Sequence, residues 1–247
     1  MKKAYMILHY GLTYLPAAIE SIYDQVDQIF IAYTPKPSQG HSTEMNCPDS
    51  SDELLGSIQK WADKITVEVG SWNNEGEHTE AGRKMANLKD DDWLIRLDSD
   101  EIFQPGAVDF FIGMAKDRNE HQFGLPFIHF WKSLNKVCRD GQRPIRLERK
   151  GGFGSTNLPD TVDEKYAILH FGYAQPDKYI RYKMEVQGHR DEWREDWYEE
   201  KWLKNAQTDV HPVSLKFWNT EDYDLNKLPS FVIEAYLAGE NEQKRIQ

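Results

Sequence analysis

Four short apolar runs between Ala4 and Leu97, each parted from the next by a stretch with helical spacing, constrain what this chain can fold into more than any other feature. The runs are Ala4 to His9, Gln28 to Tyr33, Lys64 to Val69 and Trp93 to Leu97. Between them, Leu15, Ile19 and Ile22 recur within Tyr14 to Gln25, and Leu54, Leu55, Ile58 and Trp61 within Asp52 to Ala62; Thr79 to Asn87 reads as a third helix. Strands alternating with helices imply βαβ units and a mainly parallel sheet, in which ligands bind beyond the carboxyl ends of the strands. The polar segment from Thr34 to Ser51 is a loop of a length that is usually functional or mobile.

Further along, a helix is expected from Ala107 to Arg118 and strands at Phe123 to Trp131 and Arg143 to Arg149. A glycine-rich loop from Gly151 to Gly154 follows, then a last strand-like run from Ala167 to Phe171. Asp177 to Asn205 reads as one amphiphilic helical stretch crowded with charge, Tyr and Trp, and Leu228 to Ala238 as another helix. The expected organisation is an α/β core over 1–175 and a helical C-terminal extension over 176–247 that packs on the core on its acceptor side.

The fourth run ends directly in Asp98-Ser99-Asp100-Glu101. Repulsion among these carboxylates grows as water is excluded, and a divalent cation would relieve it. Asp98 and Asp100, one residue apart, project to the same side of an extended chain and can converge on one hard, oxygen-loving ion. The alternative is a solvated turn whose aspartate caps the next helix. A net charge of −11 argues against a general nucleic-acid coat, which would need a basic face. Cys47 and Cys138 lack the paired spacing of a zinc site and read as free thiols in a reducing compartment. The N-terminal apolar stretch stops at His9 with no small-residue cleavage site and reads as a first strand, and no run approaches membrane-spanning length. A soluble, cytoplasmic protein is expected.

The ordered set resembles the family 2-like glycosyltransferases with the GT-A (Rossmann-like) fold, a mixed, mainly parallel sheet flanked by helices. The resemblance rests on the first two strands with Leu15 to Ile22, on Glu80-Ala81-Gly82-Arg83 ahead of Asp92 to Glu101, and on Ile168-Leu169-His170-Phe171-Gly172-Tyr173. It implies transfer of a sugar from a nucleotide-diphosphate donor, with manganese or magnesium bridging the two phosphates. By the same resemblance Asp98, Asp100 and His170 are the metal set. Asp100 is the direct ligand, Asp98 touches ribose or metal through water, and the imidazole of His170 suits manganese better than magnesium. Glu101 orients the motif or faces the acceptor.

The donor is expected over the strand ends, held by Tyr10, Gly11, Tyr33, Trp72, Arg83, Asp98 and Ser99. Gly11 would let backbone approach the ligand, an aromatic ring could stack on the base, and Arg83 resembles the family's arginine in the nucleotide pocket. The family's acidic residue after the second strand is replaced here by Tyr33-Thr34-Pro35, which leaves the base open. Asp163 and Asp160, downstream of the acidic motif, are the candidates for the catalytic base of an inverting displacement, and Lys178, Arg181 and Lys183 could reach the diphosphate. The acceptor implied is a saccharide or lipid-linked glycan. A modified base of viral DNA is a second candidate, with the Lys, Arg, Trp and Tyr residues between Tyr179 and Lys204 as contacts. The alternative of another class is a non-catalytic nucleotide-sugar-binding protein. The sequence leaves oligomeric state open.

Overall fold

The computed structural model describes residues 1–247 except 140, 160, 161, 214–217 and 247, with the side chains of 242–246 also outside the description. The first part of the chain runs β1 (Lys2–Leu8), α1 (Leu15–Tyr23), β2 (Gln28–Tyr33), α2 (Ser51–Ser57), β3 (Ile65–Val69), α3 (Glu75–Ala86) and β4 (Trp93–Arg96). Helix α1 buries Leu15, Ala18, Ile19 and Ile22 along one face, as the spacing predicts. Helix α2 begins in a capping box, Ser50 Oγ accepting from the Glu53 N–H while the Glu53 carboxylate accepts from the Ser50 N–H. Helix α3 starts earlier than expected because Asn74 caps it, accepting from the Glu77 N–H at 3.0 Å.

The chain continues through β5 (Glu101–Ile102), α4 (Ala107–Ala115), β6 (Gln122–Gly124), β7 (Phe127–Trp131), β8 (Lys136–Cys138), β9 (Ile145–Arg149), β10 (Ser155–Asn157), β11 (Ile168–Tyr173), α5 (Asp177–Val186), β12 (Thr220–Asp222) and α6 (Ser230–Ile246). Two sheets result. The larger has the order β10-β6-β9-β4-β1-β2-β3, and the smaller β12-β8-β7-β11-β5. Strands β3, β2, β1 and β4 are mutually parallel, and β9 enters beside β4 antiparallel. This is the expected fold class, a mixed, mainly parallel α/β sheet flanked by helices.

Two expectations are corrected. The single strand from Phe123 to Trp131 is two strands in different sheets, because Pro126 has no N–H to continue a ladder and the chain crosses between sheets there. The long helix from Asp177 to Asn205 ends at Val186, ahead of Gly188, and the residues after 175 are not all helical: β12 pairs with β8 as an edge of the second sheet. Trp131, Ile180, Trp197, Trp202, Val210 and Trp218 form a separate aromatic core, which holds this region in short turns instead of one rod. Among the described residues Cys47 and Cys138 form no disulfide. Among the described residues no helix is long and apolar enough to cross a membrane.

Candidate active site

A cleft of about 210 Å³ opens at the carboxyl ends of β1 and β4. His9, Tyr10 and Gly11 enter it after β1, Asp98, Ser99 and Asp100 after β4, His170 from β11 and Lys183 from α5, while Gln187 to His189 close one side. The wall is fixed at its base by Gly11, which has φ +122°. A Cβ there would stand 2.2 Å from Ser99 Oγ, so only glycine lets the turn after β1 meet the acidic segment. Ser99 Oγ donates to the Tyr10 carbonyl at 3.2 Å. The N–H groups of Gly11 and Leu12 both donate to buried Asp49, at 2.7 and 3.0 Å, so this turn spends its donors on the protein.

The acidic segment sits in a chain of alternating charge. Glu75 pairs with Arg96 at 2.8 Å, Arg96 Nε with Asp98 Oδ1 at 3.4 Å, and Asp98 Oδ2 with Arg146 Nη2 at 2.8 Å. Arg146 Nε and Nη2 also donate to both oxygens of Glu101, at 2.6 to 3.0 Å. Burial works against ionisation of Asp98, but Arg96 and Arg146 hold its carboxyl below the usual range. Burial pushes the Glu101 carboxyl up to about 7, with Arg146 opposing the rise.

Asp100 has no arginine partner among the described residues. Its Oδ2 accepts from Gln175 Nε2 at 3.3 Å, and its Oδ1 lies 3.8 Å from His170 Nε2. Burial raises the Asp100 carboxyl, while Lys183 pulls it back. The other ring nitrogen of His170 meets His129 Nδ1 at 2.8 Å, with the rings edge to face. Burial, helped by His129, Lys183 and Arg146, drives the His170 imidazole well below its ordinary value, so it is neutral. Lys183 stands over the Tyr173 ring, 4.8 Å from its centroid.

Among the described residues no group of three or more His, Cys, Asp and Glu side chains is placed to hold a metal ion. Asp100 and His170 would supply at most two ligands to an ion, the rest having to come from a bound diphosphate and water. Asp100 Oδ1 and His170 Nε2 have a separation that two bonds of roughly 2.1 Å can span. If His170 Nδ1 is the donor to His129, its Nε2 lone pair turns to the cleft, the tautomer that ligation needs. Asp98 lines the same cleft with Oδ1 facing Arg96 and Oδ2 facing Arg146, so it is not placed as a direct ligand.

Several other expected residues stand elsewhere. Tyr33 is core, its hydroxyl bonded to Ser51 Oγ at 2.6 Å. Trp72 lies flat on His78 at 4.3 Å and covers Gly70 instead of lining the cleft. Arg83 is engaged by Glu148 through three hydrogen bonds of 2.8 to 3.2 Å and does not reach the nucleotide side. Glu101 is fully buried behind the motif, where its carboxylate accepts from the Asp98 N–H at 3.3 Å. Asp163 is exposed and caps the turn at Glu164–Tyr166 by accepting from the Lys165 N–H at 3.1 Å, outside the cleft. Asp160 lies outside the described residues.

Arg96, Arg146, His129 and Gln175 are site residues that sequence reading did not single out. Arg96 carried a signal, as a lone charge inside the apolar run Trp93 to Leu97 needs a partner.

No protein-family model matches the chain, and no curated protein does. Among solved structures, TarS of S. aureus, residues 1–349, is similar over 70% of this chain at 9% identity and a TM-score of 0.42. This chain spans 61% of that structure's length. A 4-diphosphocytidyl-2C-methyl-D-erythritol synthase is similar over 61% of this chain and 69% of its own, at 14% identity and a TM-score of 0.33. The 2-C-methyl-D-erythritol 4-phosphate cytidylyltransferase of Francisella tularensis is similar over 60% and 73%, also at 14% identity and a TM-score of 0.33.

Proposed function

We propose that the chain is a glycosyltransferase that takes a nucleotide-diphosphate sugar and passes the sugar to a hydroxyl of a saccharide or lipid-linked acceptor, with Mn²⁺ or Mg²⁺ held by Asp100 and His170. The observation that carries this reading is the pairing of an arginine-free carboxylate with a neutral imidazole, 3.8 Å apart, in a cleft at the carboxyl ends of β1 and β4. The bound ion supplies Lewis-acid neutralisation of charge that builds on the departing diphosphate. Lys183, in the same cleft, adds a fixed positive charge beside the leaving group. His9 and Tyr10 form an aromatic wall against Tyr182, suited to a base or sugar face. The carboxylates lining the cleft are Glu75, Asp98 and Asp100, and the first two are paired with arginine. The arginine pairs suit orientation more than proton transfer, because they favour the ionised, weakly basic form.

The test is a thermal-shift screen of uridine and guanosine diphosphates and their sugars, with and without Mn²⁺. A ligand at about 100 times its Kd stabilises by about 2.7 kcal/mol, about 5 °C for a chain of this size. That rise should require Mn²⁺ and vanish in Asp100→Ala. An equal rise in the variant refutes the role of Asp100. A Mn²⁺-dependent rise with no release of sugar from any donor, across a panel of acceptors, identifies a binding protein instead.

A further inference from the structure

Strand β3 ends the larger sheet, and among the described residues it pairs with β2 alone. Its pairing with β2 fixes which backbone groups are left over. The Lys64 carbonyl accepts from the Ile29 N–H and the Gly70 N–H donates to the Tyr33 carbonyl, both at 2.9 Å. Backbone direction alternates along a strand, so Thr66 and Glu68 also turn towards β2, and Ile65, Val67 and Val69 aim N–H and C=O at the open edge. The same three residues carry their side chains on one face.

Most edges are blunted by proline, a bulge, an inward charge or a covering loop. Here the strand holds no proline, the β2 register is unbroken, and residues 66–69 are all exposed, Val69 by 62%. The nearest cation, Lys64, is folded back onto the carbonyls of Tyr23 and Val26 at 2.7 and 3.1 Å.

The geometry points to β3 as a homodimer edge, on which a second copy of this chain adds antiparallel and joins the two larger sheets into one. A two-fold axis at Val67 sets Val67 against the partner's Val67, Ile65 against the partner's Val69, and Thr66 against the partner's Glu68. Every outward N–H and C=O of the three odd-numbered residues is then satisfied, and the apolar side chains meet across the pair. An axis at Glu68 would oppose two like charges, and one at Thr66 would leave Val69 unpaired. A single strand pair is a small contact beside the roughly 1,200–2,000 Å² of a standard interface, so the dimer should be a weak one whose population rises with concentration.

Sedimentation velocity on the full chain, from low to high micromolar, tests this. The parent should shift from monomer to dimer. Val67→Lys with Val69→Lys should remain monomeric at every concentration and melt as the parent does at concentrations where the parent is monomeric. Thr66→Lys places an ammonium opposite the partner's Glu68 twice over and should tighten the dimer about 2- to 30-fold, while Thr66→Glu should loosen it. A parent that stays monomeric, or a dimer that survives both lysines, overturns the proposal. No change or loosening in Thr66→Lys overturns the register.

Discussion

Arg146 is the residue on which the acidic segment turns, and Arg146→Met measures that directly. Methionine keeps most of the side-chain volume and removes the charge from a site where Glu101 is fully buried. Removing one partner of a buried pair costs about 3–5 kcal/mol, because the charge left behind is uncompensated. At the entropy of unfolding typical per residue, a chain of 247 residues loses about 2 °C for each kcal/mol, so a fall of about 6–10 °C is expected. The pH dependence is diagnostic. In the parent the Glu101 carboxyl, raised from its unfolded value, titrates at about 7, so above that pH it is ionised in both folded and unfolded chains and adds no slope. Without Arg146 its folded pKa rises further, and between the two values only the folded variant holds the proton. The variant then loses about 1.4 kcal/mol per pH unit relative to the parent as pH rises above 7, and the gap stops widening below 7. Adding Glu101→Gln should remove that slope and recover part of the loss. Thermal unfolding of the four chains of this cycle, followed by circular dichroism from mildly acidic to mildly basic pH, is the assay. A gap independent of pH, or a double variant weaker than the sum of the singles, refutes the assignment of Arg146 as the counter-charge of Glu101.

Three further outcomes follow from the contacts. Gly11→Ala should cost at least about 2 kcal/mol from the positive φ and the collision with Ser99 Oγ, and pairing it with Ser99→Gly should return only the collision part in urea titrations. Arg83→Met should lower the melting temperature through the loss of its Glu148 pair and leave nucleotide affinity unchanged by calorimetry; a weakened affinity would restore Arg83 to the donor site. Asp92 is held well below the carboxylate range by Lys3 at 2.7 Å and the N-terminal ammonium at 2.9 Å. Its contribution is therefore present above about pH 4 and lost as pH falls, so Asp92→Asn should flatten the acid limb of the stability curve.

The parallel half of the sheet was legible because β1, β2 and β4 are mostly apolar, β3 alternates apolar and polar residues, and α1 has one apolar face. The acidic segment stood out because its carboxylates follow directly on an apolar strand, whereas His170 lies within β11 and was singled out only by the family resemblance. What was not legible depends on pairing between distant segments. Nothing near Arg146 in sequence announces that β9 will insert beside β4 and deliver a guanidinium to Asp98 and Glu101. Arg83 and Trp72 misled for the same reason, as each lies near the expected site in sequence while its partner, Glu148 or His78, decides where the side chain goes. The exposed Asp163 shows the reverse case. A carboxylate at a suitable sequence distance was satisfied by a local turn, the commonest use of aspartate in a loop.

The two aspartates of the motif are made unequal by their neighbours, and that inequality bears on the proposed chemistry. Among the charged side chains that line the cleft, Glu75, Asp98 and Asp100 against Arg96 and Lys183 leave one negative charge. His170 is neutral, so the cleft is already net negative before a donor enters. A nucleotide diphosphate brings further negative charge into a place where water is partly excluded and repulsion is strong. Lys183 offsets only part of this. On the proposed reading, a divalent cation shared between Asp100 and the two phosphates would offset the charge that the diphosphate brings, and the arginines would keep Asp98 from competing for that ion. On the proposed reading the arrangement would favour donor and cation binding together over either alone, a coupling that the Mn²⁺ dependence of the thermal shift would read directly.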